Sequence, residues 1–174
     1  MIRLSALAAL SLGMLLAWQT SAPAAIKEGA KEVSAFAALS TTDPEVGDST
    51  TQLILQFAGG VFLDPQKQVG GSFTQISVES EGFDATIRVI AGFFKFHVNP
   101  EQDVVPYVGA QAGMTFIEAG PFSDSAFSYG GMAGAKFFVS EDLSYNAELN
   151  LLMTTIDDQD YTQTTLQVGM SYYF

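Results

Sequence analysis

Few residues in this chain are equipped for chemistry, and most of those are charged rather than nucleophilic. Cysteine is absent and histidine occurs once, at His97, so neither thiol catalysis nor a His/Cys metal cluster has its ligands. His97 stands beside Asn99-Pro100, the setting of a turn or interfacial histidine, and one such residue does not make a base and nucleophile pair. Arg88 alternates with Thr86, Lys136 with Gly134, and Glu148 stands in the polar run Ser144-x-Asn146-x-Glu148-x-Asn150. Turned into a narrow closed sheet, such charges neutralise one another; if they exchange partners, they gate ions. A third set, Asp43, Glu45, Asp48, Glu79, Glu81, Glu118, Asp124, Asp157, Asp158 and Asp160, falls in loop-like stretches without Lys or Arg. Carboxylates so placed suit a solvated rim, divalent cations or a basic partner.

The whole chain carries 7 basic and 19 acidic residues, which excludes nucleic acid as a partner because phosphates demand a basic face. Residues 1–24 read as a signal peptide. Arg3 is the charged start, Leu4 to Trp18 the short apolar run, and Ala22-Pro23-Ala24 the small-x-small cleavage site. Residues 25–174 then form one domain. No later stretch has the roughly 18 uninterrupted apolar residues of a spanning helix, so a membrane form of this domain must cross as strands.

Eight strand-like segments of period 2 follow one another, separated by turn chemistry. They cover about Glu32 to Ser40, Gln52 to Leu63, Val69 to Val78, Asp84 to Val98, Val105 to Phe116, Phe127 to Val139, Leu143 to Thr154, and a last one ending at Phe174. Most alternate cleanly. Leu143, Tyr145, Ala147, Leu149 and Leu151 oppose Ser144, Asn146, Glu148 and Asn150. Two do not. In the third, Phe73 and the Ile76/Val78 pair have opposite parity, which predicts a bulge near its middle. In the fourth, Ala85, Ile87, Val89 and Ala91 read as outward with Arg88 inward, and the phase slips near Gly92 so that Phe94, Phe96 and Val98 take over.

Eight strands with one apolar face each and no helix to cover them predict an all-β fold, an eight-stranded antiparallel transmembrane barrel with lipid outside. The turns Asp64–Lys67, Asn99–Asp103 and Ser140–Asp142 are expected in the periplasm. Thr41–Thr51, Ser80–Gly82, Ala119–Ser125 and Asp157–Gln163 are expected as loops outside. Lys136 and Glu148 lie on neighbouring strands and are expected to pair, and the inward glycines Gly109, Gly113, Gly130, Gly134 and Gly169 to make room for larger side chains.

Gln167-x-Gly169-x-x-Tyr172-x-Phe174 resembles the C-terminal signal read by the barrel assembly machinery. Pro106-Tyr107-Val108-Gly109 with Gly113, and Gly134-Ala135-Lys136-Phe137-Phe138 before an acidic turn, resemble motifs of the eight-stranded outer-membrane barrels, the surface antigens and the membrane domain of outer membrane protein A. The resemblance implies a non-enzymatic structural or surface-exposed protein of the cell outer membrane. It would be monomeric, without cofactor, partnered by lipid and by the assembly machinery, with a narrow gated channel as the alternative. With nothing after Phe174, the peptidoglycan-binding domain of larger relatives is expected to be absent.

Overall fold

Alternation alone sets most of the architecture, because each strand must bury one face and can leave the other to lipid. The computed structural model describes residues 26–42, 50–80, 83–156 and 159–174. Eight antiparallel strands, β1 (Lys31–Thr42), β2 (Thr50–Asp64), β3 (Lys67–Ser80), β4 (Phe83–His97), β5 (Val104–Ala119), β6 (Phe122–Ser140), β7 (Leu143–Ile156) and β8 (Gln159–Tyr173), run in sequence order round a closed barrel. Leu55, Phe57, Phe94, Val108, Leu149 and Met170 stand on its outside, all substantially exposed. Such a belt is unaffordable in water but is the natural surface toward lipid. The expected signal peptide lies outside the described residues.

The two irregular strands are regular. β3 holds one register against β2 from Val61↔Val69 to Thr50↔Ser80 and an equally unbroken one against β4. The expected bulge is therefore absent. Phe73 points to lipid, while Ile76 is buried inside, because the loop end of the lumen is lined by aliphatic side chains. β4 does not slip either. Val89, Ala91 and Phe93 are buried, so the upper half of the strand was assigned inside out by a reading that took apolar to mean outward.

The loop end also differs from expectation. Ala119–Ser125 is not a loop: β5 and β6 pair out to Ala119↔Phe122, and the chain reverses at Gly120, whose positive φ of 58° suits glycine. Likewise β7 and β8 pair out to Ile156↔Gln159. At the short-turn end, Asp64 Oδ1 accepts from the Gln66 and Lys67 amides at 2.9 Å, and Lys67 Nζ reaches Oδ2 at 2.8 Å. These bonds fix the β2–β3 reversal.

Segment 26–30 runs under that same end. Gly29 N donates to Phe62 O and Phe62 N to Ala30 O. This places Ile26 against Phe62, Val105, Phe138 and Tyr173 in an apolar floor.

Candidate functional site: the barrel lumen

Above the floor, the inward face of each strand supplies one or two long polar side chains. Glu32 comes from β1, Gln56 from β2, Gln68 from β3, Lys95 and His97 from β4, Tyr107 from β5, Lys136 from β6, Asn146 and Glu148 from β7, and Gln167 and Ser171 from β8. All are buried. An eight-stranded barrel has an interior about wide enough for its own side chains, and here they fill it.

Two carboxylates organise the network. Glu148 Oε2 accepts from Lys95 Nζ at 2.9 Å and from the Tyr107 hydroxyl at 2.7 Å. Its Oε1 accepts from Gln167 Nε2 at 2.8 Å and, longer, from Asn150 Nδ2 at 3.4 Å. Glu32 pairs with Lys136 and accepts from Gln68 Nε2 at 2.8 Å and Ser171 Oγ at 2.6 Å. The remaining donors of Gln167 and Asn146 go to Gln56 Oε1 and Ser171 Oγ. Two ammonium groups thus meet two carboxylates with nearly every lone pair used, the condition under which buried charge is tolerated.

Aromatic rings pad the cations. Lys95 Nζ lies 4.8 Å from the Tyr107 centroid and 5.1 Å from that of Phe93; Lys136 Nζ lies 5.3 Å from Tyr173 and 5.6 Å from Tyr107. Glycine makes this possible. A Cβ on Gly134 would come within 2.7 Å of the Tyr107 ring, and one on Gly169 within 2.7 Å of Phe36.

The structure corrects three placements. Lys136 and Glu148 are both in the lumen, but the expected bond between them is not the one made. Register sets Lys136 opposite Asn146 and Glu148 opposite Gly134, and each charge reaches across the lumen instead. Arg88 is not in the lumen. It faces outward near the loop end and pairs with Glu118 at 2.7 Å, with side chains 41% and 55% exposed. His97 is neither exposed nor interfacial. It is fully buried between Phe62 and Tyr107, at ring distances of 5.1 and 5.5 Å, and neither ring nitrogen finds a hydrogen-bond partner among the described residues.

Lys95 and Glu32 were missed. Lys95 has Phe94 and Phe96 as neighbours, and its inward parity was visible once those were called outward; Glu32 lay at a strand end, where a charge reads as solvated. Of the acidic set, Asp43, Glu45, Asp48, Glu81, Asp157 and Asp158 lie outside the described residues. Asp160 is within β8, opposite Thr155, and Asp124 within β6, opposite Ile117. No group of three metal-binding side chains occurs among the described residues.

Toward the loop end the lumen opens into a cleft of about 30 Å³, room for no more than a few waters. On the loop-end side of Gln111 and Leu152, a chain of hydroxyls, Thr115, Ser128 and Thr154, is linked at 2.6 and 2.7 Å.

The sequence matches the outer membrane protein beta-barrel domain family over residues 5–174. Among solved structures, Neisserial surface protein A is similar with a TM-score of 0.69 at 16% identity, covering 84% of this chain and 100% of that one. The N-terminal barrel of Pseudomonas aeruginosa OprF gives 0.53 at 13%, covering 84% and 98%. Yersinia pestis Ail gives 0.52 at 20%, covering 84% and 100%. At such identities the likeness is one of fold. No curated protein matches the chain.

Proposed function

Since this chain belongs to the outer membrane protein beta-barrel domain family, we propose that it is a closed, non-enzymatic barrel of the outer membrane with a structural or surface-exposed role. The observation that carries this reading is the filled lumen, in which Lys95 and Glu148, and Lys136 and Glu32, neutralise each other above an apolar floor. The single histidine is sealed in the barrel and, among the described residues, is bonded to no nucleophile, which favours the non-enzymatic reading. The short-turn end is the periplasmic one, as in barrels of this kind, and the acidic outer end is the side for divalent cations or a basic partner.

The C-terminal residues have two duties on this reading. Tyr172 and Phe174 stack on the lipid side, 6.2 Å between centroids, where an assembly machine reaches them. Gln167 and Gly169 face the lumen, the first bonded to Glu148 and Gln56 and the second leaving space for Phe36. The protein works as a monomer in lipid, without a cofactor.

A second reading, a narrow ion path, is favoured by one observation. Both ammonium groups lie against the same Tyr107 ring, so an exchange of carboxylates would need only side-chain motion. Swelling of vesicles containing the refolded protein, in isotonic potassium thiocyanate, whose anion crosses the bilayer unaided, separates the two. A closed barrel gives no more swelling than empty vesicles, whereas solute-dependent swelling sinks the structural reading.

A further inference from the structure

The segment 26–30 closes the short-turn end. Gly29, at a positive φ of 81°, turns the chain under the barrel, and the bonds from Gly29 N to Phe62 O at 2.8 Å and from Phe62 N to Ala30 O at 2.9 Å anchor its base. Beyond that base the stopper is one aliphatic side chain, Ile26, while Lys27 and Glu28 are exposed. Phe62 connects the stopper to the lumen. Its ring belongs to the same floor cluster as Ile26 and lies 5.1 Å from that of His97.

His97 is at odds with this dry setting. Among the described residues neither of its ring nitrogens is hydrogen-bonded, and Gln68 Oε1, on the neighbouring strand and opposite Phe62, is buried in the same condition. Buried polar atoms left so cost free energy that water would restore. The charges of this layer are already matched: Glu32 on β1 with Lys136 on β6, and Lys95 on β4 with Glu148 on β7. Its other titratable groups are Tyr107 on β5 and Tyr173 on β8. From β2 and β3 come Phe62, Gln68 and the Gln66 carbonyl, which accepts the His97 amide at 2.7 Å, and no charge. A proton on His97 therefore adds a positive charge beside two ammonium groups with no carboxylate free to meet it. With the floor open, water meets it.

We propose that segment 26–30 is a releasable plug and that protonation of His97 releases it. The closed floor holds the imidazole without water and the open floor hydrates the imidazolium, so the open form binds the extra proton and acid favours it. Release swings Ile26 away about the Gly29 turn. Water then reaches His97, Gln68 and the Glu32–Lys136 pair from the periplasmic side, while Glu148 and the side chains bonded to it still fill the lumen above. Plug release is thus a step separate from conduction, and it rests on the reading of a floor that is shut at neutral pH.

Hydrogen exchange tests this, because it reports local opening even when the open form is rare. The Gly29 and Phe62 amides are followed by NMR in the refolded barrel, with intrinsic exchange rates divided out, from about pH 7.5 to about pH 5.0, above the ordinary carboxylate range. An opening that frees a histidine of ordinary pKa, about 6.5, gains roughly thirtyfold over that interval, so protection of both amides should fall by up to that factor. In His97→Phe protection should stay level, and in Ile26→Ala it should be lower throughout with the same slope. His97→Gln stands in if His97→Phe does not fold. Protection independent of pH in the native chain overturns the proposal. So does an equal fall in His97→Phe, or an equal fall across the β3–β4 ladder, which would be acid loosening of the whole barrel. Amides of Gly29 and Phe62 unprotected already at neutral pH would overturn the shut floor itself, and the proposal with it.

Discussion

Glu148 is the side chain on which the lumen converges, with Lys95, Tyr107, Gln167 and Asn150 all donating to it. Removing its charge leaves Lys95 buried without a partner, which costs about 3 kcal/mol or more in comparable sites. Glu148→Gln should therefore lower the urea midpoint of the refolded barrel substantially. A double-mutant cycle sharpens this. Lys95→Met and Glu148→Gln should couple strongly, and Lys136→Met with Glu148→Gln weakly; the reverse ranking would restore the pairing that strand adjacency suggests. Arg88 offers the contrast. Its pair with Glu118 is exposed, so Arg88→Ala should cost no more than about 1 kcal/mol, and a loss as large as that of Glu148→Gln would place it back in the lumen.

At the scale of the strand, register decides which face each residue takes, and it explains which elements were legible beforehand. β5 to β8 alternate small or polar residues against apolar ones, so parity alone assigned Lys136, Glu148, Gln167 and Gly169 to the inside. β3 and β4 are apolar on both faces near the loop end, with Ile76 and Val89 inside and Phe73 and Ile90 outside. There hydropathy carries no sign, and Arg88 was turned inward for that reason. Neighbouring registers settle what one strand cannot. Close packing makes the inward glycines sensitive: Gly169→Ala would push a methyl against Phe36 and the Ala35 carbonyl, and overpacking of this kind costs typically 1–3 kcal/mol. Urea titration of that variant should show a loss in this range; an unchanged midpoint would mean that the Phe36 ring has room to move. The floor segment has its own test. His97, the one histidine, should resist diethyl pyrocarbonate in the folded barrel and react in Ile26→Asp, where the stopper is polar. Equal protection in both would deny Ile26 its sealing role.

For the whole molecule, the cross-lumen pairs and the apolar floor act together. Lys95 to Glu148 ties β4 to β7, and Lys136 to Glu32 ties β6 to β1, so opposite walls are held across the interior, below a small cleft toward the loop end. Strand count, sheet order and the lipid-facing belt were legible in the sequence because they follow from period 2 repeated eight times. The partners of the lumen charges were not, because residues far apart in sequence meet across a barrel whose diameter and stagger a single strand does not reveal. The claim that unites these observations is that the lumen is shut. Single-channel recording of the refolded chain in planar bilayers decides it: a shut lumen gives a silent bilayer from protein shown to be folded by its heat-modifiable mobility, and discrete, reproducible openings from that same protein would mean that the lumen conducts.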